Sequence, residues 1–279
     1  GGLATPADKI AYGAMTSLFL MKSYPLFSMM FGAGLGYQMA ASVRAGARFA
    51  PRYFRRMTAL MVLGLLHFVF FWIGDILFTY GLLGCLLYAF RGASVRLLVR
   101  TGIALIALNT ALLVGLAGMM WLAERYAPEN LAGYARMEAS AIAAFADGSF
   151  VDAVLYRLSL APTLVPSVVA QQGLSVFGFS CFGLAMVKSG VIDKPEAAIW
   201  RLSRRVFLPV GLAGSAAGSA ILMQAASSVD SAFILGSAVI LGFAGFAAMG
   251  YAGLIALVCR GGGGPVRNFI ALAGSASLT

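Results

Sequence analysis

Residues Arg55–Phe90 read RRMTALMVLGLLHFVFFWIGDILFTYGLLGCLLYAF, and this stretch decides the fold. Two arginines open an apolar run that is broken once, at Gly74 and Asp75. The part from Met57–Ile73 carries no acidic residue, lysine or arginine. At about 1.5 Å per helical residue it crosses most of a hydrocarbon core of about 30 Å. The only histidine of the chain, His67, is therefore predicted to lie inside a membrane.

The composition of the whole chain agrees with a membrane protein. Of its 279 residues, 61% are hydrophobic and 11% are charged, against about 45–50% and about 25% in ordinary soluble domains. The mean hydropathy is +0.89, and the apolar residues form long blocks. If the chain folded in water, its polar residues would be too few to cover those apolar blocks. We expect an all-α, polytopic transmembrane helix bundle.

The apolar blocks divide one transmembrane domain, residues 1–279, into about seven predicted spans: 17–40, 57–73, 76–90, 101–123, 162–187, 206–226 and 232–259. Residues 1–16 are predicted to be an exposed lead-in, and 124–160 an extracytoplasmic segment. Because the chain begins with Gly1 and its last apolar segment, 268–279, is too short to span, terminal spans are predicted to be missing.

The net charge of +10 is distributed as a topology signal. Short loops between the apolar blocks concentrate arginine, which is typical of cytoplasmic loops and not of a nucleic-acid surface. These loops are therefore predicted to be cytoplasmic, and nucleic acid is excluded as a partner. The arginines are Arg44, Arg48, Arg52, Arg55, Arg56, Arg91, Arg96, Arg100, Arg201, Arg204 and Arg205.

Motifs of soluble enzymes are absent from the sequence. There is no GxSxG, P-loop or HExxH pattern, and a single histidine argues against zinc. Cys85, Cys181 and Cys259 all fall inside apolar blocks and are predicted to be small core residues. We expect no bound metal and no permanently bound cofactor.

Two local features predict how the helices meet. Gly32 and Gly36 have the small-xxx-small spacing that permits close approach of membrane helices. Gly74 can end one helix, and Asp75 can cap the next by accepting a backbone N–H.

Several short motifs in Leu18–Phe90, and one at the end of the chain, occur in a fixed order. They are Lys22-Ser-Tyr-Pro-Leu-Phe-Ser-Met-Met-Phe-Gly32, Arg55-Arg56, Gly64-Leu-Leu-His67, Gly74-Asp-Ile-Leu77 with Tyr80, and Ala273-Gly-Ser-Ala-Ser-Leu-Thr279. With these motifs the chain resembles the YeiB-type family of bacterial inner-membrane proteins, catalogued as domain of unknown function 418. The family usually begins with a further span that carries an LD-x-x-RG motif, and it usually continues beyond the point that corresponds to Thr279.

This resemblance implies a location in the bacterial cytoplasmic membrane. The family is similar to a larger group of transmembrane acyltransferases that includes heparan-alpha-glucosaminide N-acetyltransferase. The implied reaction moves an acyl group from cytoplasmic acyl-CoA to an extracytoplasmic acceptor through a membrane-embedded histidine.

Each candidate residue has a role under this hypothesis. His67 would be general base or acyl carrier, because imidazole exchanges protons near neutral pH. Asp75 would orient groups at the outer mouth. Substrate-binding roles go to the remaining candidates: Arg55 and Arg56 for the CoA phosphates, Tyr80 or Gln171 for an acceptor, and Lys22.

Alternatives remain open at this point. His67 could bond a neighbouring helix, Asp75 could be a plain cap, and Arg55 and Arg56 could be topology anchors. A small-solute transporter or permease is the second functional hypothesis. Its polar path would consist of Lys22, His67, Asp75 and the pair Gln171-Gln172. The sequence also leaves open a homo-oligomer.

Overall fold

The structure, a computed structural model, describes residues 5–225, 227, 230–260, 264 and 268. All regular secondary structure in these residues is helical. Short 3-10 turns cover Phe90–Gly92 and Pro128–Leu131, and a π-helical turn covers Ser203–Phe207. The α-helices are α1 (Pro6–Leu18), α2 (Ser23–Arg44), α3 (Phe49–Phe70), α4 (Leu77–Ala89), α5 (Val95–Tyr126), α6 (Ala132–Phe145), α7 (Phe150–Lys188), α8 (Ala198–Leu202), α9 (Leu208–Leu222) and α10 (Ser231–Arg260).

Among the described residues, six helical stretches are long and apolar enough to cross a membrane, and α4 adds a shorter apolar helix. Large apolar side chains remain exposed along them; on α5, Ile103 is 58%, Leu112 57% and Met119 68% exposed. Such a surface requires lipid rather than water around it. The predicted all-α polytopic bundle is confirmed. The six stretches are Pro6–Arg44, Phe49–Phe70, Val95–Tyr126, Phe150–Lys188, Ala198–Leu222 and Ser231–Arg260.

Several helices extend beyond the predicted apolar spans. Helix α3 begins at Phe49, so Arg55 and Arg56 lie inside it rather than before it. Helix α7 begins at Phe150, and Pro162 and Pro166 lie in its interior. The sequence bounds followed hydropathy alone, whereas a helix continues through polar residues until a cap or turn ends it.

The predicted lead-in, 1–16, is folded where the structure describes it. Helix α1 begins at a capping box in which Thr5 and Asp8 bond each other's backbone N–H groups. The Thr16 hydroxyl meets the hydroxyl of Ser219 on α9. These contacts attach α1 to the bundle. The predicted last segment, 268–279, lies outside the described residues except for residue 268.

Helices α2 and α7 meet at a glycine contact. A Cβ on Gly32 would fall on the Ser180 carbonyl, and one on Gly183 would fall on the Met29 carbonyl. Only a hydrogen at these positions lets the two backbones touch. The predicted close approach at Gly32 is confirmed.

The bundle collects its basic loops at one end. Lys188 at the end of α7 donates to the Arg91 carbonyl at 3.0 Å and also to the Ala93 carbonyl. Near the end of α2, Tyr37 donates to Asp193 at 3.3 Å. The basic residues that the sequence places in alternate loops therefore lie together at one end of the bundle. That this end faces the cytoplasm stays a prediction.

Candidate functional site

The candidate site lies at the tip of the hairpin formed by α3 and α4. Helix α3 ends at Phe70, α4 begins at Leu77, and the turn between them contains Asp75. His67 lies in the last turn of α3. The hairpin therefore brings the predicted histidine and carboxylate to the same place.

His67 and Asp75 form a hydrogen-bonded pair. The distance from His67 Nδ1 to Asp75 Oδ1 is 3.1 Å, and the side chains are 40% and 3% exposed, respectively. The other carboxylate oxygen accepts the Phe78 N–H, in the first turn of α4, at 3.0 Å. Asp75 thus supplies an acceptor to the start of α4, as predicted, although the N-cap position itself is Ile76. A neutral imidazole that donates from Nδ1 keeps its lone pair on Nε2. The buried carboxylate thus orients a half-exposed ring with one reactive nitrogen available.

Two aromatic side chains border the imidazole. The Phe71 ring stacks on it, with centroids 5.9 Å apart and an interplanar angle of 21°. Trp72 approaches edge-on at 6.5 Å. Both aromatic side chains are largely exposed, at 72% and 61%. They limit the rotation of His67 without closing off the site.

Gly64 permits the close contact between α3 and the start of α4. A Cβ at this position would lie 2.7 Å from Asp75 Oδ2 and would also collide with the Phe78 backbone nitrogen. Gly64 precedes His67 by about one helical turn, so both face α4. Position 64 of the Gly64-Leu-Leu-His67 motif therefore requires glycine, because any side chain would collide with Asp75 and Phe78.

Arg157 on α7 holds the hairpin tip. Its side chain is buried, and its guanidinium donates to the Val69 and Phe71 carbonyls, each at 3.2 Å. These carbonyls lie at the C-terminal end of α3, where partners within the helix are lacking and the helix dipole is negative. The guanidinium also lies 5.0 Å from the Phe145 ring centroid.

Arg157 is not among the site residues predicted from the sequence. It fell in the predicted extracytoplasmic segment, 124–160, and its partners are distant in the sequence. The available signal was an arginine immediately before a long apolar run, because such residues usually pair within the bundle. Helix α7 begins about two turns, or roughly 10 Å, before Arg157. The hairpin tip therefore lies beside the third turn of α7 and not at the first residue of that helix.

The other predicted substrate-binding residues are not in contact with the His67–Asp75 pair. Tyr80 is 2% exposed, and its hydroxyl bonds Ser28 Oγ at 2.6 Å. Lys22 is also 2% exposed and donates to the Thr16 carbonyl at 3.2 Å.

Gln171 is exposed on α7, and Arg55 and Arg56 are exposed near the start of α3. Within the described chain, no group of three or more histidine, cysteine or acidic side chains could hold a metal ion. The structure thus gathers two of the predicted site residues and distributes the rest along the bundle.

Comparisons with known proteins identify two bacterial relatives. The chain is 29% identical to the uncharacterized protein YeiB of Escherichia coli (strain K12) over 231 residues, which is 80% of this chain and 55% of YeiB. It is 37% identical to the uncharacterized protein YxaH of Bacillus subtilis (strain 168) over 99 residues, 36% of this chain and 25% of YxaH.

The chain spans about half the length of YeiB, and its alignment with YxaH covers about a quarter of that protein. No family model matches the chain. No solved structure matches it either. The similarity to YeiB and YxaH supports the YeiB-like resemblance that the motifs indicate, and the chain is a homologue of both proteins.

Proposed function

We propose that this protein is a transmembrane acyltransferase of the YeiB-like family, which moves an acyl group from acyl-CoA to an acceptor across the membrane. The observation that carries the proposal is the contact of 3.1 Å between His67 Nδ1 and Asp75 Oδ1. A ring nitrogen held by a buried carboxylate is the arrangement that activates a histidine as a base or nucleophile.

The proposed reaction has two balanced steps. In the first, the His67 Nε2 lone pair attacks the thioester carbon, the C–S bond breaks, and CoA leaves as a thiolate that takes a proton from water. The Asp75 carboxylate stabilises the cationic acyl-imidazolium. In the second, an acceptor hydroxyl or amine attacks the acyl carbon and loses its proton to water, the C–N bond breaks, and neutral imidazole is restored.

The placement of Arg56 supports the proposal. Arg56 and His67 are separated by about three turns of α3, so they lie on nearly the same face and about 16 Å apart. Leu63 between them is 55% exposed. An anionic CoA headgroup at Arg55 and Arg56 would therefore have an apolar strip along which its acyl arm could extend toward the imidazole.

The transport hypothesis has less support from the contacts. A polar path requires its side chains to be connected. Lys22 donates to Thr16, Tyr80 bonds Ser28, and His67 bonds Asp75. In the described part of the chain, no hydrogen bond joins these three pairs, so we retain acyl transfer as the proposed function.

The deciding experiment uses the complete gene product in detergent with isotopically labelled acetyl-CoA. Retained label is measured by intact mass and located by peptide mapping, beside His67→Gln. We expect label on the wild-type peptide that contains His67 and none in the variant. Absence of binding and of label in folded wild-type protein would contradict the proposal, and His67-dependent uptake into proteoliposomes would favour transport.

A further inference from the structure

The face of α3 that carries His67 is apolar and exposed. Leu63, Leu66 and Phe70 lie within about one helical turn of His67, and all three are exposed, as is Phe71 just beyond the helix. In residues 62–72, His67 is the only titratable side chain. The imidazole therefore borders the outer surface of the bundle and not a cavity inside it.

The contacts of the imidazole leave its second nitrogen on this outer side. Nδ1 bonds Asp75, whose side chain is buried between α3 and α4. The His67 side chain is nevertheless 40% exposed, so its exposed part is the edge away from Asp75. That edge includes Nε2, the atom that carries the acyl group in the proposed reaction.

The fold determines what covers this face. Phe49–Phe70 is one of the described stretches that are long and apolar enough to cross a membrane, so its exposed apolar side chains contact lipid in a bilayer. Residues 57–73 include no acidic residue, lysine or arginine, so the face offers no charged group to a water-soluble partner. A molecule that reaches Nε2 from this side has to come through lipid.

The length of the hairpin gives the depth at which the site meets the lipid. From Arg91, at the basic end, the chain rises about 24 Å to Asp75 at about 1.5 Å per helical residue. A hydrocarbon core is about 30 Å thick, so the hairpin tip comes close to the far boundary of this core, where headgroups begin. Trp72, at the tip, is a residue type that is enriched at such boundaries.

We propose that the acceptor of the acyl group is an amphiphile of the bilayer, a lipid or lipid-anchored molecule that approaches His67 sideways. It would enter from the leaflet opposite the basic end and present a headgroup hydroxyl or amine to Nε2, while its tail stays in the bilayer. The inference rests on the proposed acyltransferase function and names its acceptor class. A water-soluble acceptor would have to lose its hydration to reach the same atom.

The first test compares acceptors that differ only in the tail. The complete gene product, in nanodiscs of phosphatidylcholine, is labelled from acetyl-CoA. It then receives phosphatidylethanolamine or phosphatidylglycerol in the nanodisc, or soluble phosphoethanolamine or glycerol phosphate. We expect the label to leave His67 for a lipid-borne amine or hydroxyl and not for its soluble counterpart. Equal or faster discharge by the soluble compounds would overturn the inference and leave the acyltransferase proposal intact.

The second test measures access to position 67 without any acyl transfer. The native cysteines are replaced and His67→Cys is introduced into the complete gene product in the same nanodiscs. One reagent is a maleimide on the headgroup of phosphatidylethanolamine, and the other is a charged, water-soluble maleimide. We expect the lipid-borne reagent to react at least about tenfold faster, because confinement in the bilayer raises its effective concentration at the site.

Two single-cysteine variants serve as controls. Phe68→Cys is at the adjacent but buried position and should react with neither reagent, whereas Gly92→Cys, exposed at the basic end, should react with the soluble one. A faster soluble reagent at position 67 would show that the site opens to water, and no reaction there would show that protein covers the face. Either result overturns the inference. If no donor labels His67 in the wild type but the lipid-borne maleimide is faster at position 67, the lipid-facing access holds and the reaction is wrong.

Discussion

At the scale of single residues, the site depends on a carboxylate with two partners. Asp75 bonds the His67 ring and the Phe78 N–H at once. The two bonds fix the carboxylate between the end of α3 and the start of α4. Its removal would therefore affect the orientation of the imidazole and the start of a helix together.

We expect Asp75→Asn to separate these two effects. The amide oxygen can still accept the Phe78 N–H, but the negative charge that stabilises a cationic ring is lost. Acyl transfer should fall roughly 10²–10⁴-fold while thermal stability changes little. The measurement is single-turnover transfer of label beside a melting curve. Asp193→Asn, at the opposite end of the bundle, is the control, and equal losses in both variants would contradict a specific role for Asp75.

Gly64→Ala tests the steric argument at the hairpin. The added methyl group would collide with Asp75 Oδ2 and the Phe78 nitrogen, and overpacking of this kind costs about 1–3 kcal/mol. We expect a lower melting temperature in detergent and loss of acyl transfer. In Gly115→Ala on α5, the new methyl group meets nothing within 4 Å, so its melting temperature should be unchanged or higher. If Gly64→Ala leaves the melting temperature and acyl transfer unchanged, α3 and α4 can move apart at this position without harm.

At the scale of elements, α7 fastens the hairpin at both ends. Arg157 donates to the end of α3, and Lys188 donates to the turn that follows α4. The two prolines lie between these contacts. The hairpin that carries the site is therefore positioned by one long helix rather than by a local loop.

Arg157→Gln should loosen the hairpin tip. The Val69 and Phe71 carbonyls would lose charged donors inside the bundle, at a cost on the order of 2–3 kcal/mol. We expect faster hydrogen exchange in the peptide that spans residues 65–80, with Arg157→Lys intermediate because one ammonium replaces a planar fork. Arg125→Gln, an exposed arginine, is the matched control. Equal exchange in all variants would show that other contacts hold the tip.

These elements also show which features could be predicted from the sequence and which could not. Apolar length predicted the helical bundle, and the Gly74-Asp75 break predicted the turn between α3 and α4. The location of His67 inside a membrane stays a prediction. The contact of Arg157 with Val69 depends on how α7 packs, across a long stretch of chain. The same holds for Tyr80, whose partner Ser28 is on α2. Hydropathy contains no information on such pairings.

At the scale of the whole molecule, the basic loops share one end of the bundle, and Glu124 at the other end accepts the Ser231 N–H and hydroxyl, each at 2.6 Å. The charge distribution predicts that the basic end is cytoplasmic. It thereby predicts on which side acyl-CoA would bind.

Cysteine labelling in intact cells tests this orientation. After replacement of the three native cysteines, single cysteines are introduced at Gly92 in the basic end and at Asp147 between α6 and α7. A membrane-impermeant maleimide should label the Asp147→Cys protein in intact cells and the Gly92→Cys protein only after permeabilisation. The reverse pattern would place the basic end outside and would remove the Arg56 argument for CoA binding.

The Arg157 contact also fixes the order in which the site can form. Arg157 follows Val69 by 88 residues and Phe71 by 86 residues. The hairpin of α3 and α4 is therefore synthesised well before its donor, and the carbonyls at the end of α3 have no guanidinium partner until α7 is in place. The hairpin tip that carries the His67–Asp75 pair thus reaches its final position only after α7 has packed against it.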